Sequence, residues 1–169
     1  MHVFRYPPQE NWASILKRPV IDNIRLNSTV QEVLAKVRDE GDAALFAYTK
    51  QFDGVDLDSL VVNEAEIQAA EKSVPSELKS AIHMAANNIR QFHEAQLQQP
   101  VFIETMPGVK CWRKSIGIEK VGVYIPGGTA PLFSTVLMLG IPAKIAGCSE
   151  IVLCSPPNKS GQLHPAILF

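Results

Sequence analysis

Up to about residue 100, apolar positions recur mostly at spacings of three and four; beyond it they collect in short runs separated by glycine and proline. The first rhythm is that of helices with one covered face, the second that of strands and tight turns. Val30, Val33, Leu34 and Val37 share one helical face, and Ser28 with Gln31 predicts a capping box at its start, hydroxyl and amide each satisfying an end N–H. Gly41 is placed to end that helix in the left-handed conformation. A second helix is expected from about Asp42 to Phe52, offering Leu45, Phe46 and Thr49 to a core, with a turn at Asp53-Gly54. Leu60-Val61-Val62 has the composition of a short strand, and Asn63 is placed to cap a helix through about Lys72. Pro75 and Glu77 open a long helix to about Gln96, with Leu78, Ile82, Ala85, Ile89 and Phe92 on its apolar face.

Past Pro100 the pattern changes. Val101–Met106 and Val109–Lys114 flank Pro107-Gly108 and predict a hairpin or extended pair. Val121-Gly122-Val123-Tyr124-Ile125 is a short apolar run closed by Pro126-Gly127-Gly128, as a buried parallel strand is. Pro131 stands where a helix begins, since its missing N–H costs nothing there. The helix from about Leu132 to Ala146 is apolar almost all round, which predicts burial. Ile151-Val152-Leu153-Cys154 is a second strand, closed by Ser155-Pro156-Pro157. Strand, crossover helix and strand imply a parallel pair with a right-handed connection. Leu163–Phe169 has the pattern of a helix opening, with Pro165 near its start, and a further crossover and strand are expected after it in a longer protein. The fold class expected is α/β, a mainly helical region 1–100 followed by an incomplete parallel-sheet domain 101–169.

Composition narrows the partners. At 169 residues and 46% hydrophobic content the chain suits one ordinary domain, or one and part of a second. A net charge of −1 gives no reason to expect nucleic acid or an anionic membrane surface. Val136–Ile141 is apolar, but Pro142 and Lys144 interrupt it well short of a membrane span. The start, MHVFRYPPQENW, lacks the apolar core of a secretory signal, and three cysteines without a spaced framework fit reduced thiols in the cytoplasm.

The candidate chemistry gathers at one loop. In Pro126-Gly127-Gly128-Thr129-Ala130-Pro131, two glycines allow close backbone approach to a ligand, and the free N–H groups of the following helix favour an anion such as a diphosphate. The loop is not GxGxxG and lacks an acidic residue at ribose distance, so it stands between a ligand loop and a plain strand-to-helix turn. Ser134 and Thr135, in the first turn of the helix, are either ligand hydroxyls or capping and packing groups. His83 and His93 do not share the one-turn spacing of a metal pair, and His2 and His164 stand alone, so these read as surface or satisfied histidines. Cys148 and Cys154 read as small apolar fillers, and Cys111, beside Lys110, Arg113 and Lys114, as part of a basic surface hairpin or an activated thiol. Glu64, Glu66 and Glu71 read as a solvated helix face.

The run YIPGGTAPLFSTVLMLGIPAKIAGC followed by VLCSPP resembles the signature of histidinol dehydrogenases. RDEGDAALFAYTKQFDGV, NIRQFHEAQ and PGVKCWRK resemble the family's amino-terminal part. The resemblance covers essentially the whole chain but under half of a family chain. It implies a Rossmann-like, aldehyde-dehydrogenase-like sheet domain, NAD and zinc as cofactors, a cytoplasmic homodimer, and oxidation of L-histidinol to L-histidine in two NAD-linked steps. It assigns NAD contact to Tyr124 at the YIPGG position, with Pro126, Gly127 and Gly128 beside it; the residue-level alternative for Tyr124 is a core tyrosine bonded to backbone. The family's zinc ligands and glutamate–histidine acid–base pair are expected outside this chain, which is then expected to be inactive alone. The alternatives are a non-catalytic nucleotide-binding module or a dimerisation scaffold.

Overall fold

The first long helix begins one turn before its serine. In the computed structural model, which describes residues 3–18, 24–127 and 132–169, a short 3-10 turn at Gln9–Asn11 leads into α1 (Trp12–Ile15). Trp12 Nε1 donates to the Pro7 carbonyl at 3.1 Å. α2 then spans Ile24–Glu40, so Ser28 lies inside the helix and the expected capping box at Ser28 and Gln31 does not form. Helical backbone already begins at Ile24, which puts Ser28 in the second turn, past the position where its hydroxyl could cap the end. Gly41 ends α2 as expected, at φ 59°, its N–H bonded to the Val37 carbonyl at 2.9 Å. The expected residues His2, Gly128 and Pro131 lie outside the described residues.

The chain divides into two units, Met1–Ala44 and Leu45–Phe169. The division falls within α3 (Asp42–Tyr48), which widens into a π turn at Thr49–Asp53. Gly54, at φ 74°, closes that turn with an N–H bond to the Thr49 carbonyl at 3.2 Å. Tyr48 and Phe52, four residues apart, stack there with ring centroids 5.5 Å apart. Leu60–Val62 is not a strand. The Ser59 hydroxyl accepts from the Val61 N–H at 3.0 Å and donates to the Val61 carbonyl at 3.1 Å, which occupies groups a ladder would need.

α4 (Glu64–Ser73) starts at a complete capping box: Asn63 Oδ1 accepts from the Glu66 N–H at 3.0 Å, and Glu66 Oε2 accepts from the Asn63 N–H at 2.9 Å. α5 (Ser76–Glu94) follows after Pro75, with Ile82 buried and the expected face half-covered except at Phe92, which is exposed. β1 (Phe102–Met106) and β2 (Val109–Trp112) form the expected antiparallel hairpin, pairing Phe102 with Trp112 around Gly108 at φ 83°. Every residue of both strands is exposed.

β3 (Lys120–Tyr124) and β4 (Glu150–Cys154) pair in parallel, in register from Lys120 opposite Glu150 to Tyr124 opposite Cys154. α6 (Phe133–Ile145) connects them and packs against β3 and α5. Its end is a Schellman motif: Gly147, at φ 87°, donates to the Lys144 carbonyl at 3.1 Å, and Cys148 donates to the Ala143 carbonyl at 3.1 Å. The Glu119 carbonyl then accepts from the N–H groups of Ser149 and Glu150, both at 3.0 Å, and sets β4 beside β3. Gly117 is required here because a Cβ on it would run into the Ala146 carbonyl. α7 (Pro165–Leu168) is capped by His164 Nδ1, which accepts from the Ala166 N–H at 3.2 Å. α7 packs on α4, where Ala70 and Ala166 are buried and their small side chains allow close approach.

Two expectations about burial are corrected. α6 is apolar on all sides, yet none of its residues is fully buried, and Met138 and Leu139 are exposed. Cys154, expected as a core filler, is exposed. The helix is covered on the side that packs on β3 and α5 and open on the other, and Cys154 follows from strand alternation. The β3–β4 pair covers Val121, Val123, Ile151 and Leu153 on one face and leaves Gly122, Tyr124, Val152 and Cys154 open on the other. Among the described residues no helix is long and apolar enough to cross a membrane.

Two measurements test this description. Asn63→Ala should cost about 1 kcal/mol in urea unfolding, the loss of one helix cap; an unchanged midpoint would contradict the cap. Native-state thiol labelling mapped by mass spectrometry should modify the exposed Cys111 and Cys154 before the half-buried Cys148; the reverse order would contradict the open sheet face.

Candidate functional site

The parallel ladder runs one bond past the strand. The Ile125 N–H donates to the Cys154 carbonyl at 2.9 Å, and the Ile125 side chain has no exposed surface. Burying such a side chain is worth about 2 kcal/mol relative to exposing it, so residue 125 anchors the strand end. Strand periodicity then puts Tyr124 on the opposite, open face, where it is 63% exposed. A core tyrosine is therefore excluded in this structure.

Pro126 and Gly127 follow at once, both exposed. Three of the four expected ligand residues, Tyr124, Pro126 and Gly127, thus stand together at the carboxyl end of β3. Because β3 and β4 are parallel, α6 must run back between them, and its amino end lies on the side of the strands' carboxyl ends. Ser134 is exposed and Thr135 half-buried in its first turn, the Thr135 N–H bonded to the Leu132 carbonyl at 2.9 Å. Beside this loop lies the one after β4. A Cβ on Gly127 would stand 2.7 Å from Pro156 Cγ. The site is thus a strand end with an exposed aromatic ring, a glycine in close contact with a neighbouring loop, and a helix start. Such an arrangement suits a flat ring against Tyr124 and an anionic group near backbone N–H donors.

A cavity of about 360 Å³ was not foreseen in the sequence. The 56–63 loop and Ser155, Pro157, Ser160, Gly161 and Leu163 line it, next to the carboxyl end of β4. Nothing local in the sequence joins these segments. Several of its polar groups are already engaged: Asp56 pairs with Lys50 at 2.8 Å, Ser59 holds Val61, and Asn63 and Glu66 form the capping box.

The other candidates have packing or capping roles. The His83 ring meets Phe169 edge-on at 5.5 Å, the His93 ring meets Phe92 at 5.3 Å, and His164 caps α7. Cys111 lies on the exposed hairpin beside Trp112. Glu64 and Glu71 are exposed, while Glu66 is half-buried in its capping box. Among the described residues, no group of three or more His, Cys, Asp and Glu is placed to hold a metal ion. None of the described polar or charged residues is fully buried.

The chain is 56% identical over all 169 residues to a histidinol dehydrogenase of Bacteroides fragilis, and 57% identical over the same length to that of Bacteroides thetaiotaomicron. In each case the match covers 100% of this chain and 40% of the relative, so the chain spans about 40% of the length of these curated relatives. A crystal structure of histidinol dehydrogenase from Elizabethkingia anophelis matches with a TM-score of 0.90 and 50% identity, over 96% of this chain and 37% of that one. The family model described as histidinol dehydrogenase matches residues 16–169. With sequence and backbone agreeing over nearly its full length, the chain belongs to the histidinol dehydrogenase family.

Proposed function

We propose that this chain is the amino-terminal part of an L-histidinol dehydrogenase and supplies the wall on which NAD rests. The observation that carries the reading is the exposed Tyr124 at the carboxyl end of a parallel strand, followed directly by the Pro126-Gly127 loop. When bound, NAD would accept hydride as the alcohol of L-histidinol is oxidised to the aldehyde and then to the carboxylate. This chain's residues have other tasks. Tyr124 offers a ring face and a hydroxyl, and its exposure leaves both free to meet a ligand from the open side of the sheet. The backbone at Gly127 lets a dinucleotide approach without a side chain between. Gly128 belongs to the same loop in this reading.

Zinc is a different matter. In this reading the zinc ligands and the acid–base pair lie in other parts of the enzyme. The chain alone is then unable to oxidise L-histidinol. A cytoplasmic homodimer completes the reading, and the exposed Leu26, Val30 and Leu34 along one face of α2 support a protein partner for that helix.

NADH fluorescence titration of the 169-residue chain tests the proposal. Binding is expected, and Tyr124→Ala should weaken it roughly tenfold, equivalent to about 1.4 kcal/mol. The same sample with L-histidinol and NAD should form no NADH above background. Absence of binding, or NADH production at enzyme-like rates, would overturn the reading.

A further inference from the structure

We propose that Pro156, in the loop after β4, is a positioning residue for the nucleotide loop after β3, acting through the space that Gly127 leaves empty. The inference rests on the NAD-side reading of Tyr124 and Gly127.

Glycine at 127 has a specific cause. The chain has several glycines at positive φ, where a side chain strains the backbone, but Gly127 is not one of them. Its backbone conformation therefore does not call for glycine. Space does. A Cβ on Gly127 would lie 2.7 Å from Pro156 Cγ and 3.7 Å from Pro156 Cβ. The first distance is a clash and the second an ordinary contact. Pro156 cannot swing aside as a long side chain does, because its ring is closed onto its own backbone nitrogen. The ring fills the side-chain space of residue 127.

The two loops are also held at their roots. The bond from the Ile125 N–H to the Cys154 carbonyl, at 2.9 Å, fixes the strands two residues before each partner. Two residues further along each segment, the Pro156 ring occupies the space a Cβ of residue 127 would take. Contact at both places leaves the start of the β3–α6 loop little room to shift relative to Tyr124. A ligand held between the ring of Tyr124 and the Gly127 backbone is sensitive to that spacing. Pro156 thus acts through Gly127 on the nucleotide and need not touch it.

The interlock predicts reciprocal rescue. In Gly127→Ala the new methyl meets Pro156 Cγ; in Pro156→Ala the ring is gone and a gap faces Gly127. In the double variant, the methyl introduced at position 127 occupies the gap against Cβ of residue 156. The experiment is a double-mutant cycle on the 169-residue chain, reading NADH affinity by fluorescence and thermal midpoint by circular dichroism. Affinities are taken at a temperature where all four proteins are folded. Gly127→Ala should weaken NADH binding roughly tenfold and Pro156→Ala about threefold, while the double variant binds more tightly than either single variant and close to the parent. A merely structural contact would lower the midpoints and leave the affinities of the folded proteins unchanged, and that result would overturn the proposal. So would a double variant no better than Gly127→Ala in affinity. If Gly127→Ala does not fold, the affinities of Pro156→Ala and the double variant decide, and a double variant binding no more tightly than Pro156→Ala alone would overturn it. If the parent chain binds NADH and neither substitution alters the affinity, the positioning role fails while the NAD reading stands. If the parent does not bind, both fail, and rescue of the midpoints would then describe packing alone.

Discussion

The β3–β4 ladder is the constraint from which the site follows. Its register, Lys120 opposite Glu150 through Tyr124 opposite Cys154, decides which side chains are covered and which face outward. One more bond, from Ile125 to Cys154, extends the ladder and fixes where each loop leaves the sheet. Had β3 slipped by one residue, Tyr124 would point into the α6 side and Val123 into the open side. The loop residues would then have no exposed aromatic partner. At the other end, the Schellman turn at Gly147 and the bonds to the Glu119 carbonyl deliver β4 into that register. The close approach of Gly117 to Ala146 belongs to the same junction. The ladder and its connections therefore place Tyr124, Gly127 and Pro156 together.

Much of this was legible in the chain itself. Short apolar runs bounded by Pro-Gly-Gly and Ser-Pro-Pro locate the strands, and Asn63 locates a cap that forms as expected, while Glu66, read as part of a solvated face, turns out to complete its capping box. These are local signals, made by residues a few positions apart. The failures are also instructive. Ser28 has the chemistry of a cap, but the helical backbone of α2 begins four residues earlier at Ile24, so the serine lies past the capping position. Leu60–Val62 has strand composition without a partner strand, and a serine turn takes its backbone groups instead. The exposure of α6 and Cys154 was hidden because hydrophobicity says a face wants cover, not whether this length of chain supplies it.

Gly127 shows the limit most clearly. In sequence, a glycine after a strand has two ready explanations, a turn or a ligand. The structure adds a third, the ring of Pro156, 29 positions away, and no local pattern announces it. The third explanation is compatible with the second. A glycine that interlocks with a neighbouring loop gives a rigid platform, and rigid platforms bind flat ligands at lower entropic cost. The apolar residues left exposed on α2, α6 and the hairpin fit a chain that spans about 40% of the length of its curated relatives.

Hydrogen–deuterium exchange with and without NAD tests most directly whether the paired strand ends act as one nucleotide wall. The account predicts that peptides covering Val121–Gly127 and Ile151–Pro157 gain protection together on adding NAD, with the hairpin Phe102–Trp112 unchanged. Protection confined to the 56–63 loop and its cavity, or absent from both strand ends, would contradict it.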